Sequence, residues 1–208
     1  MRRSRNAMTC LRKRTGAWVT AACLVLSLSP AFAAAAPGAS APCGLDQVMA
    51  LLSQQRHAEA AFDERQYLAV LTRPLVSSGI LIYDAPAYLE QRTLHPRRQT
   101  MVLDHGTLTL QVGRHRRSVS LAQYPQLAPL IDSMRATLAG DRAALERHFT
   151  LQFHGDPGHW QLRLKPRAPQ LAARIRDIQI DGARAQITAV RVRQRDGDHS
   201  VLLIRPRR

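Results

Sequence analysis

The sequence predicts a mainly β protein with some α structure: an unclosed antiparallel β-barrel of about 11 strands, with helices covering its concave face. Three observations carry that expectation. Short alternations of apolar and polar residues recur between His57 and Arg205, each bounded by turn formers. Asp181-Gly182 and Asp196-Gly197, strong hairpin dipeptides, separate the last three alternations. The period changes to that of a helix between Tyr124 and His148, in the middle of the strands. A long sheet with one apolar face cannot lie flat in water, so it curls or pairs, and helices that are apolar on one side cover the hollow. The competing packing fills that hollow with the sheet's own side chains.

The chain opens with Arg2, Arg3, Arg5, Arg12, Lys13 and Arg14, then an uncharged run from Ala17 to Leu28, then Ala31-Phe32-Ala33. A basic start, a short apolar middle and a small-residue end predict a secretory signal over 1–33, cleaved after Ala33, and hence a periplasmic protein. The run falls short of the roughly 20 apolar residues that span a bilayer. Residues 34–44 are small and Pro-containing, which predicts a flexible linker, and 45–208 form one domain.

Within that domain, Leu45, Val48, Met49 and Leu52 share one face of a predicted helix over Leu45–Arg56, with Asp46 at its positive end. Strands follow at 57–69, 75–83, 88–94, 97–103, 107–112 and 116–121, with Asp104-His105-Gly106 as a turn. Gly79, inside the apolar run Leu75–Tyr83, marks a bulge or a close approach of another backbone. Leu127, Leu130, Ile131, Met134 and Leu138 fit a helix over 124–139, closed by Gly140, and Asp141 can cap a second short helix over 142–148. Strands resume at 150–154 and 160–164 around the turn Gly155-Asp156-Pro157-Gly158, then at 175–181, 185–193 and 200–205.

The chain carries 30 Lys and Arg against 15 Asp and Glu, and removing the six basic residues of the signal leaves a net +9. Nearly all of that excess is arginine, whose planar fork suits phosphate and carboxylate, and export argues against nucleic acid as the partner. Cys43 is the single cysteine beyond the signal, so no internal disulfide is possible.

In order and spacing, this arrangement resembles the outer-membrane lipoprotein carrier LolA and, more closely, a LolA-related branch. The similar parts are the first helix, Gly79 to Tyr83, Pro86 to Leu94, Asp104 to Leu110, Pro125 to Leu138, Ala139-Gly140-Asp141, Phe149 to Phe153, Trp160 to Pro166 and the last hairpins. The resemblance implies a monomeric carrier or chaperone that shelters acyl chains of lipoproteins or another lipid. It would take them from an inner-membrane donor to an outer-membrane acceptor without any cofactor. Classical members carry an arginine that ties the lid shut just before the proline opening the third strand. Here Ala85 precedes Pro86, leaving Arg73 and Arg92 as possible replacements. An acyl chain of about 15 methylenes gains roughly 12 kcal/mol on leaving water, so such a carrier must hand its cargo over directly.

Expected wall residues are Ile80, Ile82, Leu108, Leu110, Leu162 and Leu164 on strands, with Leu127, Leu130, Ile131 and Met134 on the covering helix. For each, plain core packing is the competing explanation. Arg191, Arg193 and Arg195 alternate along one strand face and offer contact with an anionic surface, or a merely solvated face. No nucleophile elbow, zinc-protease motif or Gly-rich phosphate loop occurs, so no catalysis is expected, and an enzyme acting on lipid ranks last. His154, His159 and Asp156 around one turn fall short of a usual metal ligand set, so no metal is expected. The alternative to a carrier is an envelope interaction or sensor module of the same fold, without lipid.

Overall fold

The computed structural model describes residues 44–123 and 128–207, with backbone alone at 128–130. Helix α1 (Gly44–Ser53) precedes strands β1 (His57–Tyr67), β2 (Leu75–Asp84), β3 (Tyr88–His95), β4 (Gln99–Asp104), β5 (Thr107–Val112) and β6 (His115–Ser120). Helices α2 (Ala128–Leu138) and α3 (Arg142–His148) separate these from β7 (Phe149–Asp156), β8 (His159–Pro166), a one-turn α4 (Pro169–Ala172), β9 (Ile175–Ala183), β10 (Gln186–Gln194) and β11 (His199–Pro206).

All 11 strands form one antiparallel sheet in the order β6-β5-β4-β3-β2-β1-β11-β10-β9-β8-β7. It is therefore two meanders, β1 to β6 and β7 to β11, joined where β1 pairs with β11 from Ala60↔Pro206 to Tyr67↔His199. The edge strands β6 and β7 do not pair with each other, so the barrel is unclosed, and α1, α3 and α4 pack on the inner face of β7 to β9.

The core lies under those helices. Leu45, Val48, Met49 and Leu52 of α1, spaced to fall on one helical stripe, meet Leu145 of α3 and Phe149, Trp160, Leu162, Leu164, Ile178 and Ile180 of the sheet. This packing fixes the inner face: in β8 it holds Trp160, Leu162 and Leu164, while Gln161 and Arg163 point the other way. Asp141 caps α3 as expected, accepting a hydrogen bond from the Ala144 amide at 2.8 Å. Gly140, at φ 65°, lets the chain turn between α2 and α3 where a Cβ would stand 2.1 Å from the Met49 carbonyl of α1.

One expectation about the chain path is corrected. Asp181-Gly182 is not the turn between the ninth and tenth strands: both residues lie inside β9, and the chain reverses at Arg184, at φ 53°. Glycine is required at 182 because the Trp160 ring lies across it, 2.1 Å from where a Cβ would be. Indole Nε1 then donates to the Arg184 carbonyl at 3.0 Å. After Pro166 the chain forms the one-turn α4, whose Leu171 is buried in the core.

Candidate lipid-binding face

From the β1 register outward, the inner face of the first meander is set by parity. Phe62 opposes Gly79, Ala60 opposes Leu81 and Ala58 opposes Tyr83, so Gly79, Leu81 and Tyr83 share the inner face with Phe62. The expectation for Ile80 and Ile82 is therefore corrected: they lie on the outer face, opposite Ala61 and Glu59. Their neighbours there are Arg92 and Glu90 of β3. Every second residue of Leu75–Tyr83 is apolar on both faces for part of its length, which hides the parity. What discriminates it is Asp84, two residues beyond Ile82, which meets His57 at 2.5 Å on the outside.

Following the partners across the sheet gives two inner rows. One runs Tyr83, Leu89, Leu103, Leu108, Val119 and the other Leu81, Gln91, Met101, Leu110, Arg117. Tyr83 and Leu103 are buried, Leu81, Leu89, Met101, Leu108 and Val119 are half-buried, and Leu110 is 42% exposed. Gly79 sits beside these rows at a register shift, where a Cβ would lie 1.9 Å from the Arg92 carbonyl, so the close approach expected of it is present.

Helix α2 packs on α1 and α3, and its Arg135 acts electrostatically on Tyr83 of this face. Its Ala136 belongs to the core, Ile131 is half-buried and Met134 is 42% exposed. Leu127 and the side chain of Leu130 lie outside the described residues. Tyr83 is 4% exposed, and its hydroxyl has no hydrogen-bond partner among the described residues. Burial pushes its phenol up, against the opposing pull of the Arg56 and Arg135 guanidiniums.

Leu162 and Leu164 are on the inner face but wholly buried, in one core cluster with residues of α1 and α3. Leu108, Leu110, Ile131 and Met134 remain where an apolar ligand could reach them. Leu81, Leu89 and Met101 join them; the signal for Leu81 and Met101 was their two-residue spacing from Tyr83 and Leu103, while Leu89 is placed by its pairing with both. A separate crevice of about 350 Å³ lies between α1, α3 and β7, lined by Leu45, Arg142, Glu146, Leu151, Phe153 and Arg167 among others. Its Arg142 is held by Asp46 at 2.6 Å and Glu146 at 2.8 Å, so that rim is an internal tie between helices.

On the outer face Arg191 pairs with Asp181 and Arg193 with Asp177 at 2.7 Å, whereas Arg195 lies past the end of β10, after a register shift, and donates to the Ala172 carbonyl at 3.1 Å. Of the arginines considered as lid ties, Arg92 donates from Nε to Glu90 at 2.5 Å on that same outer face, and Arg73 sits exposed in the β1–β2 loop. Burial pushes the Glu90 carboxyl up, but hydrogen bonds from Arg92 and Tyr88 outweigh it and leave the group below its ordinary range. Among the described residues no three His, Cys, Asp or Glu side chains are grouped to hold a metal ion, and no helix is long and apolar enough to cross a membrane.

Residues 34–205 match the family model described as outer membrane lipoprotein carrier protein LolA-like. No curated protein matches the chain in sequence. Among solved structures, a LolA superfamily protein of Nitrosomonas europaea is similar at 10% identity and TM-score 0.43, over 79% of this chain and 94% of that one. Lipoprotein LppX of Mycobacterium tuberculosis is similar at 8% identity and TM-score 0.41, over 79% and 94%. A MucA/MucB complex of Pseudomonas aeruginosa gives 14% identity and TM-score 0.41, over 77% of this chain and 55% of that one. All three scores are below 0.5, and the family assignment rests on the sequence match.

Proposed function

The chain belongs to the LolA-like family of outer membrane lipoprotein carriers, and from that membership we propose that it is a periplasmic, non-enzymatic carrier or chaperone for acylated cargo, a lipoprotein or another lipid. The observation that carries this reading is the pair of inner rows from β2 to β6, which present Leu81, Leu89, Met101, Leu108 and Leu110, none of them fully buried among the described residues. A hydrocarbon chain laid along those rows gains about 0.8 kcal/mol for each methylene it buries. The cargo site is thus the open half of the concave face, and the half under α1 and α3 is scaffold.

Lipid extraction and native mass spectrometry of the purified protein are expected to find bound lipid. Leu110→Glu and Met134→Glu, both at exposed positions, are expected to remove most of it while leaving the melting temperature nearly unchanged. Leu203→Glu, exposed on the outer face, serves as the control and keeps its lipid. Lipid-free wild type, or inner-face variants that retain lipid, would overturn the carrier reading. The dense packing around Leu162 and Leu164 favours a second reading, an envelope interaction or sensor module, and a lipid-free protein in this experiment is its expected result.

A further inference from the structure

The end of the first meander that carries the β1–β2 loop combines apolar exposure with unpaired positive charge. Register places three connections at that end: the β1–β2 loop (68–74), the β3–β4 turn (96–98) and the β5–β6 turn (113–114), since Thr93 opposes Gln99 and Val112 opposes both Gln99 and His115. The β1–β2 hairpin reaches furthest. Its ladder runs to Gln66↔Leu75, whereas β3 accompanies β2 only to Ser78↔His95. Three residues of extra strand put the loop about 10 Å beyond the neighbouring turn.

At its tip Val70 is 89% exposed and Leu71 45%, and on its flank Leu75 is 50% and Val76 56% exposed. Leu94, exposed near the end of β3, lies behind them. Scattered exposed aliphatics are ordinary, but five gathered at one end of a sheet mark a contact surface. The loop is also built to hold its tip. The Leu71 amide donates to the Leu68 carbonyl at 2.9 Å, and the Ala69 amide donates to Asp198 at 2.7 Å.

Arg73, Arg97, Arg98 and Arg114 occupy the three connections, which contain no acid. All four are exposed, and none makes an ion pair or a hydrogen bond through its side chain among the described residues. Arginines elsewhere behave differently: Arg92, Arg142, Arg191, Arg193 and Arg205 each face a carboxylate. The acids nearest by topology, Asp196 and Asp198, belong to the β10–β11 turn, where Asp198 accepts from Ala69 and Asp196 from the Asp198 amide.

We propose that this end of the sheet docks on an anionic lipid bilayer, with Val70 and Leu71 entering the acyl boundary and Arg73, Arg97, Arg98 and Arg114 contacting headgroup phosphates. The spacing suits such a surface: an apolar tip that projects roughly 10 Å past the turn carrying Arg97 and Arg98 matches the depth, about 5–10 Å, at which interfacial apolar groups sit below headgroups. Docking does not depend on the cargo reading, since a lipid-free module could use it equally.

The test is co-sedimentation of the purified protein with vesicles of mixed phosphatidylglycerol and phosphatidylcholine, against vesicles of phosphatidylcholine alone. Wild type is expected to sediment with the anionic vesicles and to be released by high salt. Val70→Glu with Leu71→Glu is expected to weaken binding about tenfold or more, and Arg97→Glu with Arg98→Glu similarly, with unchanged melting temperatures because all four positions are exposed. Absence of sedimentation, indifference to lipid charge, or loop variants that bind like wild type would overturn the proposal, the last by placing the contact elsewhere. Lipid content measured on the loop variants is expected to be that of wild type, which keeps a failure of docking distinct from a failure of cargo binding.

Discussion

Tyr83 carries a polar group that the inner face leaves unmatched. Its ring is buried where β2 pairs with β3, yet its hydroxyl has no partner among the described residues. Removing that oxygen is expected to help: Tyr83→Phe should stabilise the fold by about 1 kcal/mol, the scale on which an unsatisfied buried hydroxyl costs stability. Its raised pKa fixes the sign of a pH effect. A phenol that holds its proton more tightly when folded contributes stability below the unfolded value of about 10 and loses it as pH rises through the folded value. The thermal stability of wild type should therefore fall in alkali more than that of Tyr83→Phe, and equal curves would remove burial as the cause of the shift. Glu90 has the opposite sign, since its lowered pKa means the Tyr88–Glu90–Arg92 cluster supports the fold above the ordinary glutamate range and loosens as pH falls through the folded value.

Among the elements, the caps and turns show how local chemistry sets the chain path. Asp141 starts α3 through its bond to Ala144, and Asp141→Ala is expected to cost about 1 kcal/mol in urea unfolding, whereas Asp141→Ser should restore most of it. That cap, the α1 stripe, the turn at His105-Gly106 and the hairpin at Gly197 were all legible in sequence, because each is decided by residues within a few positions of one another. The faces of β2 were not legible, because Leu75–Tyr83 is apolar on both sides and parity is fixed only by pairing with β1. Gly182 was misread for a related reason: a glycine after aspartate says turn when seen alone, and only Trp160, 22 positions earlier, says otherwise. The candidate site divided along the same line. Leu108 and Leu110 lie in a strand that alternates cleanly and were assigned the correct face, while Leu162 and Leu164, equally well alternating, turned out to be covered by helices, which alternation cannot reveal.

Across the whole molecule the two meanders differ in how they are supported. The strands β7 to β10 rest on α1, α3 and α4 through one continuous core, whereas β4 to β6 carry few buried side chains, Leu103 being the one within those strands. Local opening follows such differences in buried contact. Amide hydrogen exchange is accordingly expected to be slowest in β8 and β9 and fastest in β5 and β6, and uniform protection across the sheet would contradict this division. Bound lipid should slow exchange in β4 to β6 most, because that is where the inner rows lie open.

The pairing of β1 with β11 has a consequence for assembly. Neighbours in space there are separated by well over a hundred positions along the chain, so the ladder that unites the two meanders closes only after every other strand has been made. Until then each meander exposes an unmatched strand at what will become the middle of the sheet, and Asp63 with Arg205 and Glu59 with Arg207 supply opposite charges along that junction. The two meanders are therefore joined by β11, and the open apolar rows become part of one continuous sheet only at that moment.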